Sequence, residues 1–226
     1  MEYMFDTVNI EDIKHYSEFF KIVGITSNPS IIKLEGNINF FNHFKEIRKV
    51  IGMDKSLHIQ VVARDYEGMM AEADAIIKNV DDKVFIKVPV TEQGLKAIRA
   101  LKEKGIGVTA TAIYTKVQGL LAMEAGADFI APYYNRMENM DIDPQDVITT
   151  FAGMIKEYNY STIILAASFK NMGQVNTAFE CGAQTATVQP ALLHAALEMP
   201  VINKAVEDFA GDFETVFGKG VSIVDL

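Results

Sequence analysis

Eight short apolar segments alternate with amphipathic stretches along the 226 residues, and this alternation constrains the fold more than any other feature. The segments that read as strands are Glu2–Asp6, Gly24–Thr26, Leu57–Ala63, Val84–Val88, Gly107–Ala112, Phe129–Pro132, Thr162–Ser168 and Thr185–Val188. Their near-continuous apolar content marks strands covered on both faces, which means a parallel sheet wrapped in helices. Helical spacing fills the gaps, as in Glu67–Lys78 and Glu92–Lys104. In the second of these, Leu95, Ile98 and Leu101 share one face while Lys96, Arg99, Lys102 and Glu103 face outward. Lys104-Gly105 then ends it with a cation and a glycine. Eight such units in about 200 residues predict the α/β class and a closed (β/α)8 barrel. An open doubly wound sheet is the alternative, but neither its GxGxxG fingerprint nor a P-loop occurs.

No Pro/Gly/Ser-rich linker interrupts the chain, so residues 1–226 are expected to form one barrel domain. Residues 201–217 are expected to add a C-terminal amphipathic helix. There Phe209, Phe213 and Phe217, at spacing four, make one aromatic stripe for the barrel itself or for a neighbouring subunit.

With 21 Lys+Arg against 30 Asp+Glu, the net charge is −9 and no basic block occurs, which argues against nucleic acid and anionic membranes as partners. No run approaches the ~18 apolar residues of a membrane span, and the N-terminus has no apolar leader. The single Cys181 can make no internal disulfide. A cytoplasmic, reducing environment is expected.

In such barrels chemistry collects at the C-terminal ends of the strands. Val84-Phe85-Ile86-Lys87-Val88-Pro89-Val90 is apolar except for Lys87, which shares a strand face with Phe85 and Pro89. A Lys taken out of water favours its neutral amine, a nucleophile for carbonyl carbon. The pattern is thus open between a Schiff-base lysine, an ion-paired structural lysine and one that snorkels outward at a strand edge.

Other polar residues punctuate the strand ends. Asp6 closes the first strand, either as a carboxylate near Lys87 or as a turn residue before the next helix. Thr26-Ser27-Asn28-Pro29-Ser30 follows the second, and Asn28-Pro29 by itself reads as a helix start. Gln60 places an amide in the third strand, able to orient water or a hydroxyl. Thr109 and Thr111 share one face of the fifth, where threonine is also simply a good strand former. Tyr133 offers a phenol and Arg136 a guanidinium after the sixth, and Ser168 suits an anion after the seventh. His15, His43, His58 and His194 are scattered; His43/Glu46 and His194/Glu198 lack a third ligand, so no metal is expected.

Taken together, these pieces resemble the small transaldolase family, and most closely its fructose-6-phosphate aldolase branch. The matching segments are Phe5-Asp6-Thr7, Gly24 to Ser30, Ile86-Lys87-Val88-Pro89, Thr109 to Ala112, Ala131 to Arg136 and Ala166 to Lys170, in family order from the first strand to the seventh. The resemblance implies a cofactor-free class I aldolase acting on a sugar phosphate, with Lys87 as the Schiff-base lysine. Asp6, Thr26 and Asn28 match residues lining the site, and Thr111 matches one that positions the catalytic water. Arg136 and Ser168 match the phosphate anchors, with Lys170 beside them. Transaldolases of the family carry Glu where Gln60 stands and typically Phe where Tyr133 stands, so both positions look like the aldolase form. The resemblance also implies a homo-oligomer, a pentamer or decamer, with the C-terminal helix on a neighbouring subunit.

Overall fold

Each strand pairs in parallel with the one before it, and the eighth closes on the first, in the computed structural model, which describes residues 1–226. The strands are β1 (Glu2–Asp6), β2 (Gly24–Thr26), β3 (Ser56–Gln60), β4 (Phe85–Pro89), β5 (Val108–Ile113), β6 (Phe129–Pro132), β7 (Ile163–Ala166) and β8 (Thr185–Val188). The β1–β8 ladder, from Glu2 opposite Thr185 to Phe5 opposite Val188, makes a closed barrel and excludes the open sheet. The helices are α1 (Ile10–Ser17), α2 (Pro29–Leu34), α3 (Phe40–Ile51), α4 (Tyr66–Asn79), α5 (Glu92–Glu103), α6 (Lys116–Glu124), α7 (Tyr134–Glu138), α8 (Pro144–Tyr158), α9 (Met172–Glu180), α10 (Pro190–Leu197) and α11 (Pro200–Phe217). The chain divides into two compact units. Met1–Pro190 holds the complete barrel, and Ala191–Leu226 carries most of α10, then α11 and a short 3₁₀ turn.

Local sequence explains where the helices begin. Asn9, Asn28, Asn39, Asp65, Thr91, Asp143 and Asn171 each accept a first-turn backbone N–H through the side chain. Such a cap is worth about 1 kcal/mol. At Gly94 a Cβ would lie 1.9 Å from the Pro89 carbonyl oxygen, so only glycine lets the first turn of α5 descend onto the end of β4.

Two strands stop earlier than their apolar content suggests. β3 ends at Gln60 because the N–H groups of Val62 and Ala63 turn to the Glu72 carboxylate, at 2.7 and 2.9 Å. β7 ends at Ala166: Ala167 keeps a single bridge to Tyr133, and Ser168 then turns to a left-handed φ of 64°.

Inside the barrel, the floor is a packed layer of Met4, Phe129 and Leu165, with Phe85 and Ile163 against it. His58 joins this layer, stacked on Phe85 at 4.9 Å and edge-on to Phe129 at 5.0 Å. Its two nitrogens meet the Thr109 hydroxyl at 2.7 Å and the Ser56 hydroxyl at 2.9 Å. Ser56 has room there because β2 carries Gly24, where a Cβ would fall 2.1 Å from the Ser56 Oγ.

Candidate active site

Above that floor, at the C-terminal ends of the strands, a cleft of about 390 Å³ opens on Asp6, Asn28, Lys87, Tyr133, Arg136 and Ser168. Lys87 is 2 % exposed, and its ammonium nitrogen donates to the Ser27 carbonyl at 3.1 Å. That carbonyl is held in place, because both the N–H and the hydroxyl of Ser27 donate to the His58 carbonyl, at 3.0 and 2.8 Å. No carboxylate lies within ion-pairing distance of Lys87, and the side chain faces the interior. The ion-paired and outward-facing alternatives therefore both fail. Burying an amine with no carboxylate in direct contact is costly, and Asp6, in the same cleft, is the acidic group that feels its charge.

Asp6 accepts from the Thr26 hydroxyl at 2.7 Å. Since that spends the Thr26 proton, the Thr187 hydroxyl, 2.6 Å from Thr26, is the donor of the next bond. Asp6 thus terminates a chain of two buried hydroxyls rather than capping a helix, a role that Asn9 fills for α1. Burial raises the proton affinity of the Asp6 carboxyl, and the Lys87 charge, the Thr26 hydroxyl and Arg136 partly offset it. Thr26 itself is fully buried and touches the cleft-lining residues through its bond to Asp6.

Tyr133 is nearly buried, and its phenol shares a 2.8 Å hydrogen bond with Thr111, fully buried on β5. Gln60 stands opposite Lys87 in the β3–β4 register, and its Oε1 is buried without a protein partner. A buried amide oxygen aimed among such neighbours suits a substrate hydroxyl or a held water. Asn28 does two things, since it lines the cleft while its side chain accepts the Ile31 N–H as the cap of α2. At the rim, Arg136 is exposed and its Cζ lies 4.8 Å from the centroid of the Tyr133 ring. Ser168 and Lys170 complete that side of the cleft.

All nine residues expected from the sequence therefore gather at one end of the barrel. Six line the cleft; Thr26, Thr111 and Gln60 stand beside those six through the bonds and register above. Sequence reasoning missed Ser30, Asn135 and Gln189, which also line it, and Thr187 behind Asp6. Gln189 directly follows β8, so the strand-end rule applied to the eighth strand would have found it.

Fold and site together define a lysine-centred (β/α)8 barrel enzyme. The Transaldolase/Fructose-6-phosphate aldolase family model matches residues 3–223, and the chain belongs to that family. It is 52% identical over 213 residues to a Streptococcus pneumoniae protein named "Probable fructose-6-phosphate aldolase", covering 94% of this chain and 96% of the relative. It is 34% identical to a Geobacillus kaustophilus protein named "Probable transaldolase", covering 94% and 98%. A Cytophaga hutchinsonii protein of the same name is 31% identical, covering 96% and 100%.

Proposed function

We propose that this protein is a class I aldolase that cleaves fructose 6-phosphate reversibly to dihydroxyacetone and glyceraldehyde 3-phosphate. The observation that carries the reading is the Lys87 amine, shut away from water with no carboxylate in direct contact at the base of a polar cleft. In its neutral form that amine adds to the ketone carbon C2, and loss of water gives an iminium. Tyr133 shuttles the proton of the C4 hydroxyl: its phenol oxygen receives that proton as its own passes to a water held by Gln60 and Thr111. The C3–C4 bond breaks, its electron pair moves to the iminium as an enamine, and glyceraldehyde 3-phosphate leaves. Protonation at C3 and addition of water then release dihydroxyacetone and restore the amine. Asp6, whose proton affinity burial raises, serves the proton transfers at the lysine nitrogen and the neighbouring oxygens. Arg136 and Ser168, with Lys170, take the phosphate.

Relatives named as transaldolases support a second reading, in which the enamine passes its three carbons to an aldose phosphate acceptor. Gln60 and Tyr133 favour the aldolase. The deciding assay supplies fructose 6-phosphate alone and follows free dihydroxyacetone, with borohydride trapping and mass analysis of Lys87. Steady release with a reduced adduct on Lys87 is expected. Strict dependence on erythrose 4-phosphate would replace aldolase by transaldolase, and an unmodified Lys87 would sink both.

The same reading includes a homo-oligomer, a pentamer or decamer, and the exposed Val206, Phe209 and Phe217 of α11 support it. It also places the reaction in the cytoplasm, for which the unpaired Cys181 and a phosphorylated substrate speak.

A further inference from the structure

The fifth strand contains an irregularity that the reaction as described does not use. Between Ala110 and Ile113, β5 advances three residues while β6 advances two, from Ile130 to Pro132. Thr109 and Thr111 face inward, so a regular strand would carry Tyr114 outward with Ala110 and Ala112. The extra residue reverses the alternation. Ala112 absorbs the turn with φ 58°, an unfavourable conformation for any residue with a Cβ. As a result Tyr114 meets Tyr133 edge-on at 5.6 Å, and its hydroxyl accepts a hydrogen bond from Arg136 Nη1 at 3.2 Å.

We propose that Tyr114 is a positioning residue that holds the Arg136 guanidinium over the cleft, ready for the anionic group of the substrate. The inference rests on the phosphate role given to Arg136 above. Arg136 is exposed on the five-residue α7, and an untethered side chain there would spread over many rotamers. The Tyr114 hydroxyl and the Tyr133 ring fix it from two sides, 3.2 Å from the hydroxyl and 4.8 Å from the ring centroid. Ordering the cation before the anion arrives removes that loss from the binding step. The strained turn at Ala112 is thereby explained: it brings Tyr114 inward to the guanidinium, three residues after Thr111 has met the phenol by ordinary alternation. A strain of this kind persists where the surrounding structure uses it.

Tyr114→Phe keeps the ring against Tyr133 and deletes only the tether. The KM for fructose 6-phosphate should rise about fivefold, with kcat moved far less. The inhibition constant of inorganic phosphate should rise by the same factor. With Arg136→Ala already present, adding Tyr114→Phe should raise KM no further, because the two act as one unit. Equal losses of kcat on phosphorylated and unphosphorylated ketoses with phosphate inhibition unmoved, or additive KM effects in the double variant, would overturn the proposal. Phosphate titration followed by NMR needs no turnover and so separates the two readings. If the intact protein fails to cleave fructose 6-phosphate yet loses phosphate affinity in Tyr114→Phe, the aldolase reading falls and the tether stands. If it cleaves the sugar and both proteins bind phosphate alike, the tether falls alone.

Discussion

The floor and the mouth of the barrel are built from the same eight strands under opposite rules. On the floor, Met4, Phe85, Phe129 and Leu165 fill the space, and the polar intruder, His58, has a partner on each ring nitrogen. At the mouth, Lys87 is buried with no carboxylate in direct contact and the Gln60 oxygen is buried without a partner. Ala112 and Ser168, both on strand ends at the mouth, take left-handed backbone angles that disfavour residues with a Cβ. The floor has one such departure inside the ring, the Thr185 hydroxyl, buried without a partner at the start of β8; the buried amine and the strained strand ends lie at the mouth. On the proposed function, the difference separates stability from chemistry: the floor holds the ring of strands together, and the mouth keeps the reactive groups poised.

Substitutions at the two levels should therefore fail in different ways. Tyr133→Phe removes a proton donor and preserves the ring that packs with Ala131 and Ala167. Turnover of fructose 6-phosphate should fall about a hundred- to a thousandfold, while borohydride still traps the imine on Lys87 and the unfolding midpoint barely moves. Equal loss of trapping and turnover would show the phenol to be structural, and the contrast between mouth and floor would collapse there. Phe129→Ala is the counterpart on the floor, where Phe129 touches the His58 and Phe85 rings at 5.0 and 5.1 Å. It should cost about 3 kcal/mol in denaturant unfolding, equivalent to roughly a hundredfold in the folding constant, through the cavity left behind. Molecules that remain folded should still trap the imine. Loss of trapping without loss of stability would mean that the floor serves the chemistry directly.

The two levels were also unequally legible in the sequence. Strands with both faces covered read as apolar runs, so all eight and their parallel order followed from pattern, and Lys87 stood out as the one charge in such a run. Asn28 read by itself as a helix cap and is one; only the family resemblance placed it at the site, and it does line the cleft. Tyr114 was hidden because alternation assigns it to the outer face, and the extra residue in β5 arises from pairing with β6 rather than from composition. Strand ends were blurred for a related reason. Val62 and Ala63 are apolar, but the Glu72 carboxylate of a neighbouring helix takes their backbone donors. Thr187 carried no signal in the sequence; a hydrogen bond to Thr26, which itself bonds Asp6, brings it to the site.

The smallest effect expected here tests how tightly the floor is sealed. His58 is fully buried, and loss of water, with the nearby Lys87 and Arg48 charges, pushes its pKa down from 6.5 to about 3. Between those two values the unfolded chain takes up a proton that the folded chain refuses. Stability is therefore lost as pH falls below 6.5, at a rate approaching about 1.4 kcal/mol per unit from this residue alone. Asp6 acts in the opposite sense. Its affinity is raised, so the folded chain keeps a proton that the unfolded chain gives up, and that contribution is lost as pH rises above 3.8 through the folded value. Both proteins in a comparison of the wild type with His58→Gln contain Asp6, so their difference isolates the imidazole. Urea unfolding at pH 7, 6 and 5 should give a steeper acid decline for the wild type, the variant being flatter by up to about that slope even if it is less stable throughout. Parallel curves would mean that the imidazole ionises inside the fold, and that water and protons reach the floor as readily as the mouth.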